Sequence, residues 1–227
     1  MLTYIPGYIF EDHRLKKDVL KFRHRHFVER FGWEALRKPE LLETDQFDTD
    51  EAIHLVLIKE GVILGYSRLL LTMRPHLLSD VYPEIAAGNP YPIGPAIYEW
   101  TRCVAEPDTK IAGISTSNIL LTGVLEFCLV KGIEALIVET HPKLMNLLVS
   151  TGWDVEPFAA PCTYAESLVV PICAKPLHSA LEIHHRLYGI EGSVLDLSAG
   201  DELIIDQTLA MVDVMCPGRI AWGTSHA

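Results

Sequence analysis

Apolar residues recur at helical spacing between residues 11 and 32, where Leu15, Val19, Phe22, Phe27 and Phe31 form a stripe with basic residues around the rest of the barrel. The spacing predicts a helix that stops at Gly32. Residues 37–50 carry neither period, since Pro39 and the acids after it make a poor helix; a long irregular loop is expected, either a binding loop or a solvated acidic one. Strand-like runs at 54–58 and 62–72 flank Lys59-Glu60-Gly61 as a hairpin, with Gly65 marking a bulge or a close backbone approach. A short helix over 76–85 and a Gly/Pro-rich loop over 87–95 lead to a central strand at 97–105. After a loop at 106–114, Ser115 or Thr116 caps a helix that runs to about Lys131 and closes at Gly132. A buried strand at 135–138, a helix at 142–151, strands near 155–158 and 166–172, a helix at 176–188 and a helix-like run at 201–214 complete the pattern. This order predicts an α/β fold, a single-domain sandwich around a mixed sheet instead of a strictly alternating doubly wound one.

Charge changes that picture at the central strand. Period two places Glu99, Thr101 and Cys103 on one face and Tyr98, Trp100, Arg102 and Val104 on the other. Charges on an interior strand demand partners. Arg68, beside Leu69-Leu70-Leu71, makes the same demand, and Arg23, Asp45 and Asp48 are the available answers.

Hydrophobic residues make up 49% of the 227 and charged residues 22%, a globular composition with no Gly-, Ser- or Pro-rich linker, so one domain over 1–227 is expected, with 189–227 as an extension of unassigned role. The formal charge of -11 argues against nucleic acid as a partner. No apolar run approaches the roughly 20 residues of a membrane span, and the first residues lack a signal pattern. Cys103, Cys128, Cys162, Cys173 and Cys216, without a CxxC, read as reduced thiols of a cytoplasmic protein. His24, His26, His184 and His185 lack partners at ligand spacing, so no metal is expected. The basic region from Arg14 to Lys38 is either a solvated face or a dock for phosphates or an acidic carrier.

Arg23, Phe27, Trp33, the Glu43-x-Asp45-x-x-Asp48 run, Arg68 and Glu99-x-Thr101-Arg102 together resemble the signature of the acyl-homoserine lactone synthases, the LuxI-type autoinducer synthases. The likeness is most specific over the first hundred or so positions, and 132–152 is similar to the family's strand-helix unit around the acyl pocket. Tyr82 departs mildly from the Phe that commonly precedes the proline at that place.

The resemblance implies the GCN5-related N-acetyltransferase fold and the synthesis of a quorum-sensing signal. In that reaction the amino group of S-adenosylmethionine attacks an acyl thioester, and the product closes to a lactone and expels methylthioadenosine. S-adenosylmethionine and an acyl-CoA or acyl carrier protein are then substrates, and no further cofactor is implied. Glu99 is the candidate base, with Arg102, Asp48 and Arg68 in the catalytic set. Arg23, Phe27, Trp33, Asp45 and Asp48 are implied to bind S-adenosylmethionine, the two rings closing over the adenosyl group and sulfonium. Cys103 and Val104, on the strand expected to splay after Arg102, and the Lys110-x-x-Gly113 turn are implied to meet the acyl donor. Thr140 lies where the family's acyl-selecting threonine lies, and Leu144, Leu147 and Leu148 either line the chain pocket or pack the core. The runs 138–140 and 126–128 look closer to members taking branched or aryl acyl-CoA, which favours acyl-CoA over the carrier protein. Two other readings compete, a generic N-acyltransferase acting on another amine and a non-catalytic ligand-binding protein on the same fold.

Overall fold

The computed structural model describes residues 1–10 and 14–197. The chain enters through β1 (Leu2–Pro6) and α1 (Gly7–Phe10), neither of which the apolar pattern predicted. The expected helix over 11–32 becomes α2 (Lys16–Arg23) followed by a π-helix, His24–Arg30, and residues 11–13 lie outside the described set. The wider turns show in the Phe31 N–H donating to the His26 carbonyl, five residues back. Gly32 ends the helix at φ 74°, as expected.

β2 (Ile53–Lys59) and β3 (Val62–Leu71) form the expected hairpin, and the register shifts between Leu57 and Ile58, beside Gly65. A Cβ on Gly65 would stand 3.2 Å from the Leu57 Cβ, so bulge and close approach both occur there. The helix expected at 76–85 is two short turns, α3 (Leu77–Asp80) and a 3₁₀ turn at Pro83–Ala86, because a proline in mid-run removes a donor and disfavours helix at the residue before it. β4 (Ile97–Ala105) lies where expected, and the loop after it holds a small hairpin of β5 (Lys110–Ile111) and β6 (Ile114–Ser115). α4 (Thr116–Lys131) starts with the Ser115 hydroxyl accepting from the Asn118 N–H at 3.2 Å and ends at Gly132, φ 66°. β7 (Ala135–Thr140), α5 (Pro142–Ser150), β8 (Asp154–Pro157), an unpredicted β9 (Cys162–Tyr164), β10 (Ser167–Lys175), α6 (His178–Tyr188) and β11 (Leu195–Asp196) follow. The helix-like run at 201–214 and Cys216 fall outside the described residues.

Nine strands make one mixed sheet in the order β11-β1-β2-β3-β4-β7-β10-β8, with β9 paired to β10. One face is covered by α4 and by Leu148 of α5 and Ala180 of α6, packed on Leu2, Leu55, Leu69, Trp100 and Val138. The other is covered by α2 and the π-helix, packed on Ile5, Val56, Tyr66 and Val104. Each such buried side chain contributes about 1.5–3 kcal/mol, so both faces hold the sheet firmly. No described helix is long and apolar enough to cross a membrane.

Two features of β4 place the site. Its parallel ladder with β7 runs only from Ile97 to Glu99, opposite Ala135 to Ile137, so the described ladder ends beside Glu99. Against β3, Tyr66 pairs with Val104 but Arg68 pairs with Thr101, so Ser67 alone faces Arg102 and Cys103. That is a β-bulge, with Arg102 at φ 55°. The expected alternation therefore fails at Arg102. Arg102 and Val104 join the face of Glu99 and Thr101, while Cys103 packs with Tyr98 and Trp100 on the α4 side.

Candidate active site

The left-handed backbone at Arg102 costs roughly 1–3 kcal/mol for a residue with a Cβ. In exchange it turns a third guanidinium into a buried ion network. Arg23, at the end of α2, donates through Nε to Glu43 at 2.5 Å and through Nη1 and Nη2 to Asp48 at 2.6 and 3.1 Å. Arg68 of β3 grips Asp45 at 2.7 and 2.8 Å, reaches Asp48 at 2.6 Å and donates to Thr101 Oγ1 at 3.1 Å. Arg102 Nη2 closes the set onto Glu43 at 3.1 Å and Asp45 at 2.9 Å. Three guanidinia face three carboxylates, so buried charges are answered within hydrogen-bond distance.

The irregular loop is held by its own chemistry. The Phe47 N–H donates to Asp45 Oδ1 at 2.9 Å and the Asp45 N–H to Asp48 Oδ2 at 3.0 Å, while the Phe47 ring is buried against Ala52, Leu70 and Leu77. Burial works against ionisation of these acids, but Arg23 and Arg68 hold Asp48 far below the usual carboxylate range, and Glu43 and Asp45 are lowered by their own arginines. The network extends to a buried Tyr66-His54 pair, 2.7 Å between the hydroxyl and Nδ1. Burial lowers His54 to about 3 and raises Tyr66 to about 12, so both are neutral. Glu43, Tyr66 and His54 had no assigned role in the sequence reading, although Glu43 heads the acidic run and His54 pairs with Arg68 across the hairpin.

Above the network lies an aromatic wall. Phe27 and Trp33 stand 5.0 Å apart between ring centroids, and the Arg102 guanidinium lies 5.6 and 5.4 Å from them. Phe27 is buried whereas Trp33 is 44% exposed, so the indole presents a free surface beside buried charge. Arg23 is fully buried inside the network.

Glu99 is 0% exposed, and its two oxygens accept the N–H groups of Leu77 and Leu78 at the start of α3, at 2.8 and 2.7 Å. Burial raises it above the ordinary glutamate value despite those donors. It therefore sits, oriented and proton-hungry, where β4 and β7 cease to pair.

The other expected residues divide. Cys103 and Val104 point to opposite faces, and burial pushes the Cys103 thiol up to about 12. Lys110 is exposed on the small hairpin, and Gly113 has φ 88° in the turn before α4. Thr140 is half-buried at the end of β7, Leu144 packs against the core under α4, Leu148 is wholly buried in it and Leu147 is 36% exposed. The basic region is partly spent: Arg23 is internal, Arg25 pairs with Glu106 at 2.7 Å and Arg37 with Glu34 at 2.6 Å. Among the histidines, His26 meets Glu106, His184 meets Thr122 and His185 meets Glu126.

The autoinducer synthase family model matches residues 8–174. The isovaleryl-homoserine lactone synthase of Bradyrhizobium diazoefficiens is 28% identical over 193 residues, covering 85% of this chain and 86% of that protein. An acyl-homoserine-lactone synthase of Ralstonia solanacearum is 31% identical over 158 residues, covering 67% and 78%. The solved structure of BjaI, a CoA-dependent acyl-homoserine lactone synthase with SAM and isopentyl-CoA, superposes with a TM-score of 0.78 at 25% identity, covering 90% of this chain and 99% of BjaI. More distant N-acyltransferases share the fold at 14% identity. The chain therefore belongs to the autoinducer synthase family, enzymes that transfer acyl groups.

Proposed function

We propose that this enzyme joins S-adenosylmethionine to a branched or aryl acyl-CoA, releasing coenzyme A, methylthioadenosine and an N-acyl-homoserine lactone. The observation that carries the reading is the position of Glu99, a buried acceptor at the point where the β4–β7 ladder ends, next to the ion network and its aromatic wall.

In this reading the methionine amine enters beside Glu99 and passes a proton to it, directly or through one water. The freed lone pair attacks the thioester carbon. Backbone N–H groups of β4 beyond Arg102 face the developing oxyanion, and the thiolate of coenzyme A departs. The adenosyl group lies on Trp33, with Phe27 behind it and the sulfonium near the rings. Asp45, Asp48, Arg68 and Arg102 keep the wall and loop in place. The substrate carboxylate then curls onto its own γ-carbon and expels the neutral thioether, a positioning task because a sulfonium is already a good leaving group. The acyl chain passes Thr140 into the gap between the strands, with Leu144 at its side. Acyl-CoA as donor rests on likeness to the isovaleryl-homoserine lactone synthase and to BjaI, and on the partly spent basic region, which leaves less positive surface for an acidic carrier.

The test is incubation of the purified protein with S-adenosylmethionine and a panel of acyl-CoAs and acyl carrier proteins, reading both products by mass. Methylthioadenosine and lactone forming together, fastest with a branched acyl-CoA, is the expected result. Amide formation on another amine without methylthioadenosine would establish a generic N-acyltransferase instead.

A further inference from the structure

Beside Glu99, outside the ion network, stands a second carboxyl with no assigned role. Glu139 stands two residues beyond Ile137, the β7 partner of Glu99, so its side chain leaves the same face of the sheet and its carboxyl meets that of Glu99. Its Oε1 is buried, and no donor reaches it among the described residues. An ionised oxygen there would be an unsolvated acceptor facing a second carboxylate, whereas a protonated one would be a donor with an acceptor in front of it.

We propose that Glu139 is a positioning residue: as a neutral carboxylic acid it donates a hydrogen bond to Glu99 and keeps that base ionised and aimed. The inference rests on the reading of Glu99 as the base. Burial by itself pushes Glu99 towards its protonated form, and a protonated carboxyl could not accept a proton from the amine. The Leu77 and Leu78 N–H groups oppose that tendency from α3, and Glu139 adds a third donor from β7.

The surroundings favour a neutral Glu139. Burial and then the charge of Glu99 raise it well above the glutamate range. Facing the pair are Tyr82 just before the 3₁₀ turn, Tyr91 from the loop and His76 before α3, whose Nε2 lies 3.5 Å from the Tyr91 hydroxyl. Burial, then Glu139 and Glu99, push Tyr82 well up, so it too is a neutral neighbour. Arg68 and Arg102 act on Tyr82 from the network, and Asp80 of α3 acts on Tyr91. From the β10 side Glu139 pairs with Pro171, and Tyr164 of β9 contacts Tyr82.

The experiment is the pH profile of kcat/KM for methylthioadenosine release in the wild type, Glu139→Gln and Glu139→Leu. The glutamine amide can still donate to Glu99 and should keep the acid limb close to wild type. Leucine cannot, and its acid limb should move up by about one pH unit, a tenfold loss of ionised Glu99 on the acid side. A leucine limb that stays in place, or a glutamine limb that moves down as when a negative neighbour is removed, would overturn the proposal. A packing role alone would lower stability in both variants and move neither limb. A carboxyl ¹³C titration of glutamate-labelled wild-type protein reads the proton directly, even if the protein turns over no substrate. Glu139 protonated at pH 7 with Glu99 ionised is expected, and an ionised Glu139 would sink the idea.

Discussion

The two sides of the β4–β7 gap are built differently. On the network side, three arginines and three acids from α2, the irregular loop, β3 and β4 converge through short, directed bonds. On the side proposed for the acyl chain, Thr140, Leu144, Leu147 and Leu148 share a strand end and one helix, with burial ranging from complete to slight. A buried charge has few permitted surroundings, so its partners can be sought from composition alone. A leucine is equally at home in a core and in a substrate pocket, and only coordinates separate the two.

The largest effect should come from breaking the charged side. Asp48→Ala leaves Arg23 and Arg68 buried with a shared partner missing, and stability measured by denaturant unfolding should fall by about 3–5 kcal/mol. A loss below about 1 kcal/mol, the range of an exposed pair, would mean that the network is solvated.

On the apolar side, Leu148→Ala should cost about 2–5 kcal/mol while leaving the order of preferred acyl donors unchanged, because Leu148 fills the core. Leu147→Ala, at a 36% exposed position, should cost under about 1 kcal/mol by the same unfolding assay. If Leu148→Ala reorders the donors, the assignment of that residue to the core is wrong.

The pH dependence sharpens the contrast. His54 is lowered to about 3 by burial, so between that value and the ordinary histidine range near 6.5 the unfolded chain binds the extra proton. Its contribution to stability is therefore complete above about pH 6.5 and is lost as the pH falls towards 3. The network acids, lowered in the fold, add a second loss at lower pH as they take up protons. His54→Phe, which keeps a ring against Phe10, should flatten the slope of stability with pH over the upper window. An unchanged slope would assign the pH response to other groups.

A smaller effect belongs to the aromatic wall. Trp33→Ala should barely change the melting temperature, yet weaken S-adenosylmethionine by about 0.5–2 kcal/mol in calorimetric titration, the worth of one cation–π face. Unaltered affinity would move the adenosyl group elsewhere.

The same physics decides what was legible in the chain. Glu99, Arg68 and the two aspartates were readable because ions on strands need counterions, and β4 itself lies where the apolar run put it. The faces of β4 were misread at Arg102 because period two assumes an unbroken pleat, and nothing in Thr101-Arg102-Cys103 announces a left-handed residue. Strand β9 and the small hairpin of β5 and β6 are too short to show a period. The π-turns at 24–30 keep the apolar stripe of an α-helix over their length, so they read as one. Glu139 escaped notice as a functional group because its significance depends on Glu99, forty residues away and on the neighbouring strand.

The central claim, that Glu99 accepts the proton of the attacking amine, is tested most directly by single-turnover kinetics of Glu99→Gln. The variant keeps the size of the side chain, and binding of S-adenosylmethionine is measured alongside. The account predicts near-normal binding with thiol release slowed by about 10²–10⁴, the usual worth of a general base. Release within a few-fold of wild type, with binding intact, would contradict it.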